Sequence, residues 1–251
     1  PRINYDSAGA NPSVLVEPQR TNLIAFSEDF NNTSVWVKSN ILVNNNQGTS
    51  PSGSINLNSL TTTAINSSQS RLTSFVSTIV NQPYTLSCFV KFTNTPTTQI
   101  YLAITGVVRI YLNSDGTFTS ITNTGAISVN VFNFGNGFFR ISVSLVASST
   151  TSSHFVGFAK NGSETFTTSG GDRFLIWGGQ IEQATGVSSY IPTSGAAVTR
   201  NSDVITVSPP TGTVKITTTF SDNTTQVITS IPATFTVPNG LIKQVLMQSS
   251  L

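Results

Sequence analysis

The stretch GFFRISVSLV, residues 137–146, decides the fold class, because large apolar and polar side chains alternate along it. The apolar positions are Phe139, Ile141, Val143 and Leu145, and the positions between them are Arg140, Ser142 and Ser144. A period of two is that of a β-strand with one face on a core. Asn136-Gly137, directly before the stretch, is a tight-turn signal. The stretch therefore predicts one strand of an antiparallel sheet.

The same pattern recurs on both sides of this stretch. Residues 107–112 and 117–121 flank Asn113-Ser114-Asp115-Gly116, and Asp-Gly supplies the positive φ that a hairpin turn requires. Further predicted strands are Val35–Val37, Tyr84–Phe92, Gln99–Ile104, Phe155–Phe158 and Arg173–Trp177. Short strands at this spacing predict an all-β sandwich or barrel.

The composition indicates a neutral, polar surface. Only 9% of the 251 residues are charged, whereas 35 Ser, 37 Thr and 23 Asn are present. The formal net charge of +2 gives no basic surface for a phosphate backbone, so we expect no nucleic-acid partner. No apolar run reaches the roughly 18 residues of a membrane span, so we expect no membrane insertion. The single cysteine, Cys88, cannot form an intrachain disulfide and fits a small buried position.

Three groups of segments carry a family resemblance. They are residues 15–24 (LVEPQRTNLI) with 26–30 (FSEDF) and Trp36; residues 84–91 (YTLSCFVK) with 137–143 (GFFRISV); and residues 174–182 (FLIWGGQIE) with 189–193 (SYIPT) and 197–200 (AVTR). In this order and spacing they resemble a module of bacteriophage virion proteins, found in tail fibres, tailspikes and related appendages. That module is similar to the jelly-roll carbohydrate-binding modules.

The resemblance implies an antiparallel jelly-roll β-sandwich in a phage particle assembled in the bacterial cytoplasm. The opening residues 1–6 (PRINYD) also match, which implies the C-terminal part of a longer chain. The resemblance does not fix function, because jelly rolls serve as lectins, capsid proteins and enzymes.

We expect three parts in the chain. Residues 1–22 form an extended N-terminal arm, and residues 23–203 form the jelly-roll domain resembling carbohydrate-binding modules. The stretch 208–212 (SPPTG) interrupts the strand pattern before a small C-terminal β subdomain, residues 204–251. That tail is too small for an independent core, so we expect it to pack on the main domain or on a neighbouring subunit. The family-level expectation is a homotrimer.

Glycan binding requires aromatic faces that stack on sugar rings. The candidates are Trp36, Tyr101, Tyr111 and Trp177. Tyr101 and Tyr111 lie on predicted paired strands, and one concave sheet face could present both. In a strand, the same-face neighbours of Trp36 would be Ser34 and Lys38, which favours a solvent-exposed face, although burial is the alternative. Trp177 follows three large apolar residues, so a core position is its alternative.

The acidic residues suggest a metal site more than a catalytic one. By resemblance, a structural calcium would be held by Glu28, Asp29 and the strand near Glu182, but here that strand reads Gly178-Gly179-Gln180, where many such binders have acidic residues. No carboxylate pair of the kind that glycosidases use is evident, because neighbours such as Glu28 and Asp29 diverge on a strand. We expect no catalytic residue and no cofactor besides calcium. The lone His154 has no Gly-x-Ser-x-Gly partner motif and is expected at a solvated strand end.

These observations predict a non-enzymatic virion surface or fibre protein that binds host cell-surface glycan and contacts other virion proteins. One alternative is a purely structural capsid or tail decoration or spacer without a ligand. The other is a polysaccharide depolymerase. Exposure of the four candidate aromatic residues discriminates between the first hypothesis and the structural one.

Overall fold

The computed structural model describes residues 2–4, 12–93, 98–105, 108–123 and 125–249. These residues form strands and turns and contain no α-helix, and hence no helix able to cross a membrane. In chain order the strands are β1 (Arg2–Asn4), β2 (Ser13–Val16), β3 (Arg20–Asn22), β4 (Val37–Ser39), β5 (Ile41–Asn44), β6 (Asn58–Thr62), β7 (Ile65–Ser68), β8 (Ser70–Ser77), β9 (Pro83–Phe92), β10 (Gln99–Ile104), β11 (Val108–Leu112), β12 (Phe118–Thr122), β13 (Ala126–Gly135), β14 (Phe138–Val146), β15 (Thr151–Ala159), β16 (Phe166–Thr168), β17 (Arg173–Glu182), β18 (Val198–Arg200), β19 (Thr206–Val207), β20 (Thr213–Phe220), β21 (Thr225–Ile228), β22 (Phe235–Thr236) and β23 (Gly240–Ser249).

The chain divides into two compact units. The larger is Thr21–Thr199, and the smaller combines Pro1–Arg20 with Arg200–Leu251. The sequence placed the two boundaries at 22/23 and 203/204. What it did not indicate is that the N-terminal segment shares a unit with the C-terminal one.

The larger unit is an antiparallel jelly-roll sandwich. Its front sheet has the strand order β12-β11-β10-β15-β8-β4, and its back sheet has the order β13-β14-β9-β17-β6-β5. The chain passes from β8 in the front sheet to β9 in the back sheet and returns to the front sheet at β10. It likewise passes from β14 in the back sheet to β15 in the front sheet and returns to the back sheet at β17. Strands β8 and β10, on either side of β15, are thus connected through the back sheet, and β14 and β17, on either side of β9, through the front sheet; this is the jelly-roll winding. The predicted fold class is confirmed.

The alternation that predicted β14 places its apolar residues in the core between the sheets. Ile141, Val143 and Leu145 are at most 2% exposed. Ser142 and Ser144 lie on the opposite face, and they too are only 1% exposed. Both faces of β14 are therefore covered at these positions. The reason is a covering segment: Thr85, paired with Ser144, donates its hydroxyl to the Ala184 carbonyl at 2.8 Å.

The predicted hairpin is also present. Strands β11 and β12 pair from Val108↔Thr122 to Leu112↔Phe118, and Gly116 in the turn has φ 86°. The Asp115 carboxylate accepts from the Thr117 backbone N–H at 2.9 Å, as expected for an Asp-Gly turn. Val107, included in the predicted strand, lies outside the described residues.

The smaller unit contains a five-stranded sheet with the order β1-β2-β23-β20-β21. The predicted N-terminal arm contributes β1 and β2, and β2 pairs with β23 through Val14↔Ile242. Its small core contains Val16, Ile216, Phe235, Val237 and Ile242.

Candidate functional site

The four aromatic residues predicted to stack on sugars are all buried. Their exposed fractions are 2% for Trp36, 1% for Tyr101, 2% for Tyr111 and 4% for Trp177. A sugar ring can stack only on an accessible ring face, so none of the four forms a stacking surface in this structure. For Trp36 and Trp177 this is the buried alternative, and for Tyr101 and Tyr111 the expectation of an accessible sheet face is wrong.

Tyr101 and Tyr111 do share one face, as the sequence predicted. They are direct partners in the β10–β11 ladder, on the outer side of the front sheet. Other side chains lie against them: the Tyr111 hydroxyl donates to Glu164 Oε1 at 2.8 Å, and Arg109 Nε lies 3.2 Å from the same oxygen. Burial, together with the hydrogen bond and charge of Glu164, raises the pKa of Tyr111 to about 12. The two tyrosines therefore belong to a closed polar cluster.

The two tryptophans are buried for different local reasons. Trp36 lies in a turn just before β4, where its backbone N–H donates to the Asn32 carbonyl at 2.9 Å. Its side chain therefore does not follow the strand alternation that suggested exposure. Its indole packs on Phe30 and donates to the Phe26 carbonyl at 2.9 Å. Trp177 lies on the outer side of the back sheet, where Tyr190 covers it at a centroid distance of 4.4 Å.

An open polar pocket, here called the acidic pocket, is the candidate binding site. Its volume is about 230 Å³, and its lining residues are Phe26, Glu28, Asp29, Asn45, Asn46, Asn56, Asn58, Thr193 and Ser194. This volume is below the roughly 300–1,000 Å³ of pockets for drug-sized ligands, which suits one terminal unit of a glycan. Two carboxylates, four amides, two hydroxyls and one aromatic ring thus face a common space.

Donors from two distant parts of the chain hold the Glu28 carboxylate. Asn56 Nδ2 donates to Oε2 at 2.7 Å, and the Tyr190 hydroxyl donates to Oε1 at 3.1 Å. Burial first, and then the nearby Glu28 charge, raise the pKa of Tyr190 well above its usual value. The tyrosine therefore remains a neutral donor, and the carboxylate is fixed at the pocket wall.

Glu28 and Asp29 face the same pocket because they lie in a loop. The expectation that the two side chains diverge as neighbours on a strand is wrong, because residues 23–36, all of them described, contain no strand. Asn58 Nδ2 donates to the Glu28 carbonyl at 2.7 Å and fixes the loop beside β6. Asp29 Oδ1 accepts from the Asn31 N–H at 3.2 Å and from Asn45 Nδ2 at 3.3 Å.

Of the three residues implied as calcium ligands, Glu28 and Asp29 share the acidic pocket, but Glu182 does not line it. Within the described ranges, no group of three or more His, Cys, Asp or Glu side chains is placed to hold a metal ion. Glu182 is completely buried on β17 and accepts from the Ser188 N–H at 3.0 Å and from the Ser188 hydroxyl. Because Glu182 is occupied there, Glu28, Asp29 and Glu182 do not fit the implied calcium site.

Two reactive residue types lie in the interior. His154 is 1% exposed rather than solvated, because it shares the inward parity of Val156 and Phe158 on β15. Burial lowers the pKa of His154 to about 4. Cys88 is buried as predicted, and burial raises the pKa of its thiol. Neither side chain lines the acidic pocket.

No family model matches the chain, and no curated protein matches its sequence. Several solved structures resemble this chain at low sequence identity. The tailspike protein 4 enzymatically active domain of bacteriophage CBA120 is 14% identical over 64% of this chain and 21% of that chain, with a TM-score of 0.38. The CBM22-1 xylan-binding domain of Paenibacillus barcinonensis Xyn10C is 10% identical over 69% and 99%, with a TM-score of 0.37. The C-terminal family 22 carbohydrate-binding module of Clostridium thermocellum Xyn10B is 11% identical over 65% and 94%, with a TM-score of 0.36.

This chain spans about a fifth of the tailspike chain that it matches. With TM-scores of this size, the jelly-roll assignment rests on the strand order and the crossings between the two sheets.

Proposed function

We propose that this chain is a surface module of a bacteriophage virion, in a tail fibre or related appendage, that binds host cell-surface glycan without cleaving it. The observation that supports glycan binding is the acidic pocket, where Phe26 lies with Glu28, Asp29 and several amides around an open space. The virion setting rests on the family resemblance of the sequence.

The pocket offers the groups that sugars require. Carboxylates and side-chain amides form directional hydrogen bonds with hydroxyls, and a half-buried ring such as Phe26 provides an apolar surface for sugar C–H groups. The chain as a whole has few charged residues, 9% of the total, so hydroxyl and amide groups are the common polar groups outside the pocket.

A single shallow site binds a sugar weakly, and oligomerisation increases the overall binding strength. Linking weak sites raises avidity by roughly 10²–10⁴. In the smaller unit, Val227 and Leu246 are 50% and 43% exposed, and both pair with Thr217 on β20, the strand between β21 and β23. This apolar strip is our candidate for packing between copies of the chain.

Two other functions remain candidates, each with one observation in its favour. Burial of Trp36, Tyr101, Tyr111 and Trp177 favours a purely structural decoration or spacer protein. The presence of Glu28 and Asp29 in one pocket favours a depolymerase, since glycosidases use two carboxylates. We propose binding without cleavage because the oxygens of Glu28 are already occupied by Asn56 and Tyr190, so this carboxylate acts as a fixed acceptor.

The test is binding of the intact chain to an array of bacterial envelope glycans, with an assay for released reducing ends on any ligand found. We expect binding without product release. Phe26→Ala should abolish binding, whereas Phe134→Ala, at a 55% exposed position outside the pocket, should not. Absence of binding supports the structural candidate, and product release supports the depolymerase.

A further inference from the structure

We propose that the acidic pocket selects sugars that carry a protonated amine over neutral and acidic sugars. This inference rests on the proposed function, because it names the ligand class of the same pocket. It follows from the charge of the lining residues and from two acceptors that have no donor.

The charged residues that line the pocket are all acidic. Glu28 and Asp29 bring two formal negative charges, and no Lys or Arg is among the lining residues. Within the described part of the chain, the ion pairs are Arg109–Glu164 and Arg200–Glu17, and neither involves a pocket acid. A ligand with a positive charge is attracted to such a site, and one with a carboxylate is repelled.

The amides of the pocket add acceptors rather than donors. Asn58 is 1% exposed, and among the described residues its Oδ1 has no hydrogen-bond partner; the same holds for the buried Oδ1 of Asn56. Their Nδ2 groups are already used, in bonds to the Glu28 carbonyl and carboxylate. A buried acceptor without a donor is costly, so a ligand gains most by supplying donors here.

An ammonium group supplies both the positive charge and the hydrogen-bond donors that favour binding in this pocket. It carries three donors, no acceptor and a positive charge. A sugar hydroxyl can donate once but brings no charge, an N-acetyl group replaces the ammonium by a neutral amide, and a uronic acid brings a charge of the wrong sign. The expected order of affinity is therefore amino sugar, then neutral and N-acetylated sugars, then uronic acid.

The experiment titrates the full chain with the methyl glycosides of glucosamine, N-acetylglucosamine, glucose and glucuronic acid. We expect the amino sugar to bind about fivefold more tightly than glucose at low salt, with the advantage shrinking at high salt. Asp29→Asn and Glu28→Gln should remove the preference. Asp222→Asn, which removes an acid at an exposed turn elsewhere, should keep it.

The outcomes are separable. Equal affinity for the amino and neutral sugars, or tighter binding of the uronic acid, overturns this inference and leaves glycan binding intact. No binding of any sugar overturns both proposals. Displacement of the amino sugar by millimolar Ca²⁺ also overturns the inference, because the oxygen acceptors of the pocket would then bind a metal ion and not an ammonium group. If a variant fails to fold, the sugar series and its salt dependence on the unmodified chain still decide.

Discussion

Asn56 Nδ2 donates to Glu28 Oε2 at 2.7 Å, which joins the loop before β6 to the loop after β3. The bond connects residues 28 positions apart and defines one wall of the acidic pocket. Because the Tyr190 hydroxyl holds the other carboxylate oxygen, three segments of the chain determine where this carboxylate lies. The pocket is thus a product of tertiary contacts between loops.

Replacing Asn56 tests this arrangement. Asn56→Ala removes a donor from a carboxylate, an interaction worth roughly 1.5–3 kcal/mol, so we expect glycan affinity to fall at least tenfold as Glu28 loses its position. Isothermal titration with the best array ligand measures the change. Asn201→Ala, at an exposed position in the smaller unit, is the matched control and should bind like the parent chain. Unchanged affinity in Asn56→Ala would contradict the role of Glu28.

Tyr101→Phe separates the pocket from the front sheet. The Tyr101 hydroxyl is buried and has no hydrogen-bond partner within the described residues, so its removal should leave stability unchanged or slightly higher. Glycan affinity should change less than twofold, because the ring does not reach solvent. A large loss of affinity would indicate that the glycan binds at the Tyr101–Tyr111 face and not in the acidic pocket.

His154 should make the fold sensitive to acid. Burial lowers its pKa from 6.5 to about 4, so the unfolded chain binds the proton more readily than the folded chain between those values. Stability is therefore complete above pH 6.5 and decreases as pH falls towards 4, by roughly 3 kcal/mol from this group. Urea unfolding at pH 7 and pH 4 measures the decrease. In His154→Leu the decrease should be smaller by about that amount, and an identical decrease in both proteins would refute the assignment.

Gly157 should not tolerate a side chain. A Cβ at this position would lie 2.4 Å from the Ser70 carbonyl oxygen and 2.7 Å from Arg71 Cβ, because β15 and β8 are closely paired there. We expect Gly157→Ala to lower the free energy of unfolding by about 1–3 kcal/mol. Gly186→Ala, where a Cβ meets no atom within 4 Å, should be close to neutral in the same denaturation experiment.

Self-association should depend on the apolar strip of the smaller unit. We expect the chain to sediment as an oligomer, and the double variant Val227→Lys with Leu246→Lys to sediment as a monomer, because like charges would then face the partner copy. Lysines at the exposed Ile79 and Val80 of the larger unit provide the control and should leave the oligomer intact. A parent chain that sediments as a monomer would contradict the proposed packing.

The candidate site was only partly visible in the sequence. Glu28 and Asp29 were singled out, although as calcium ligands with Glu182, and the structure keeps the first two together without the third. Asn56 and Asn58 were missed because they are two of 23 asparagines. The one available signal was their spacing around the buried Leu57, which places both on the same side of the chain.

The sequence by itself determined several strands, among them β9, β10, β11 and β14, together with the turn at Gly116 and the neutral surface composition, because each follows from local alternation, turn chemistry or residue counts. It did not indicate β6, β8 or β13. It also placed Tyr101 and Tyr111 on one face, since a period of two fixes which side chains share a face. Only the tertiary structure decided which faces are covered. The segment with Ala184 and Tyr190 buries the outer side of the back sheet, and the loops around Glu28, Asn45 and Asn56 meet to form the pocket. Such contacts join residues far apart in the chain, and no local pattern records them.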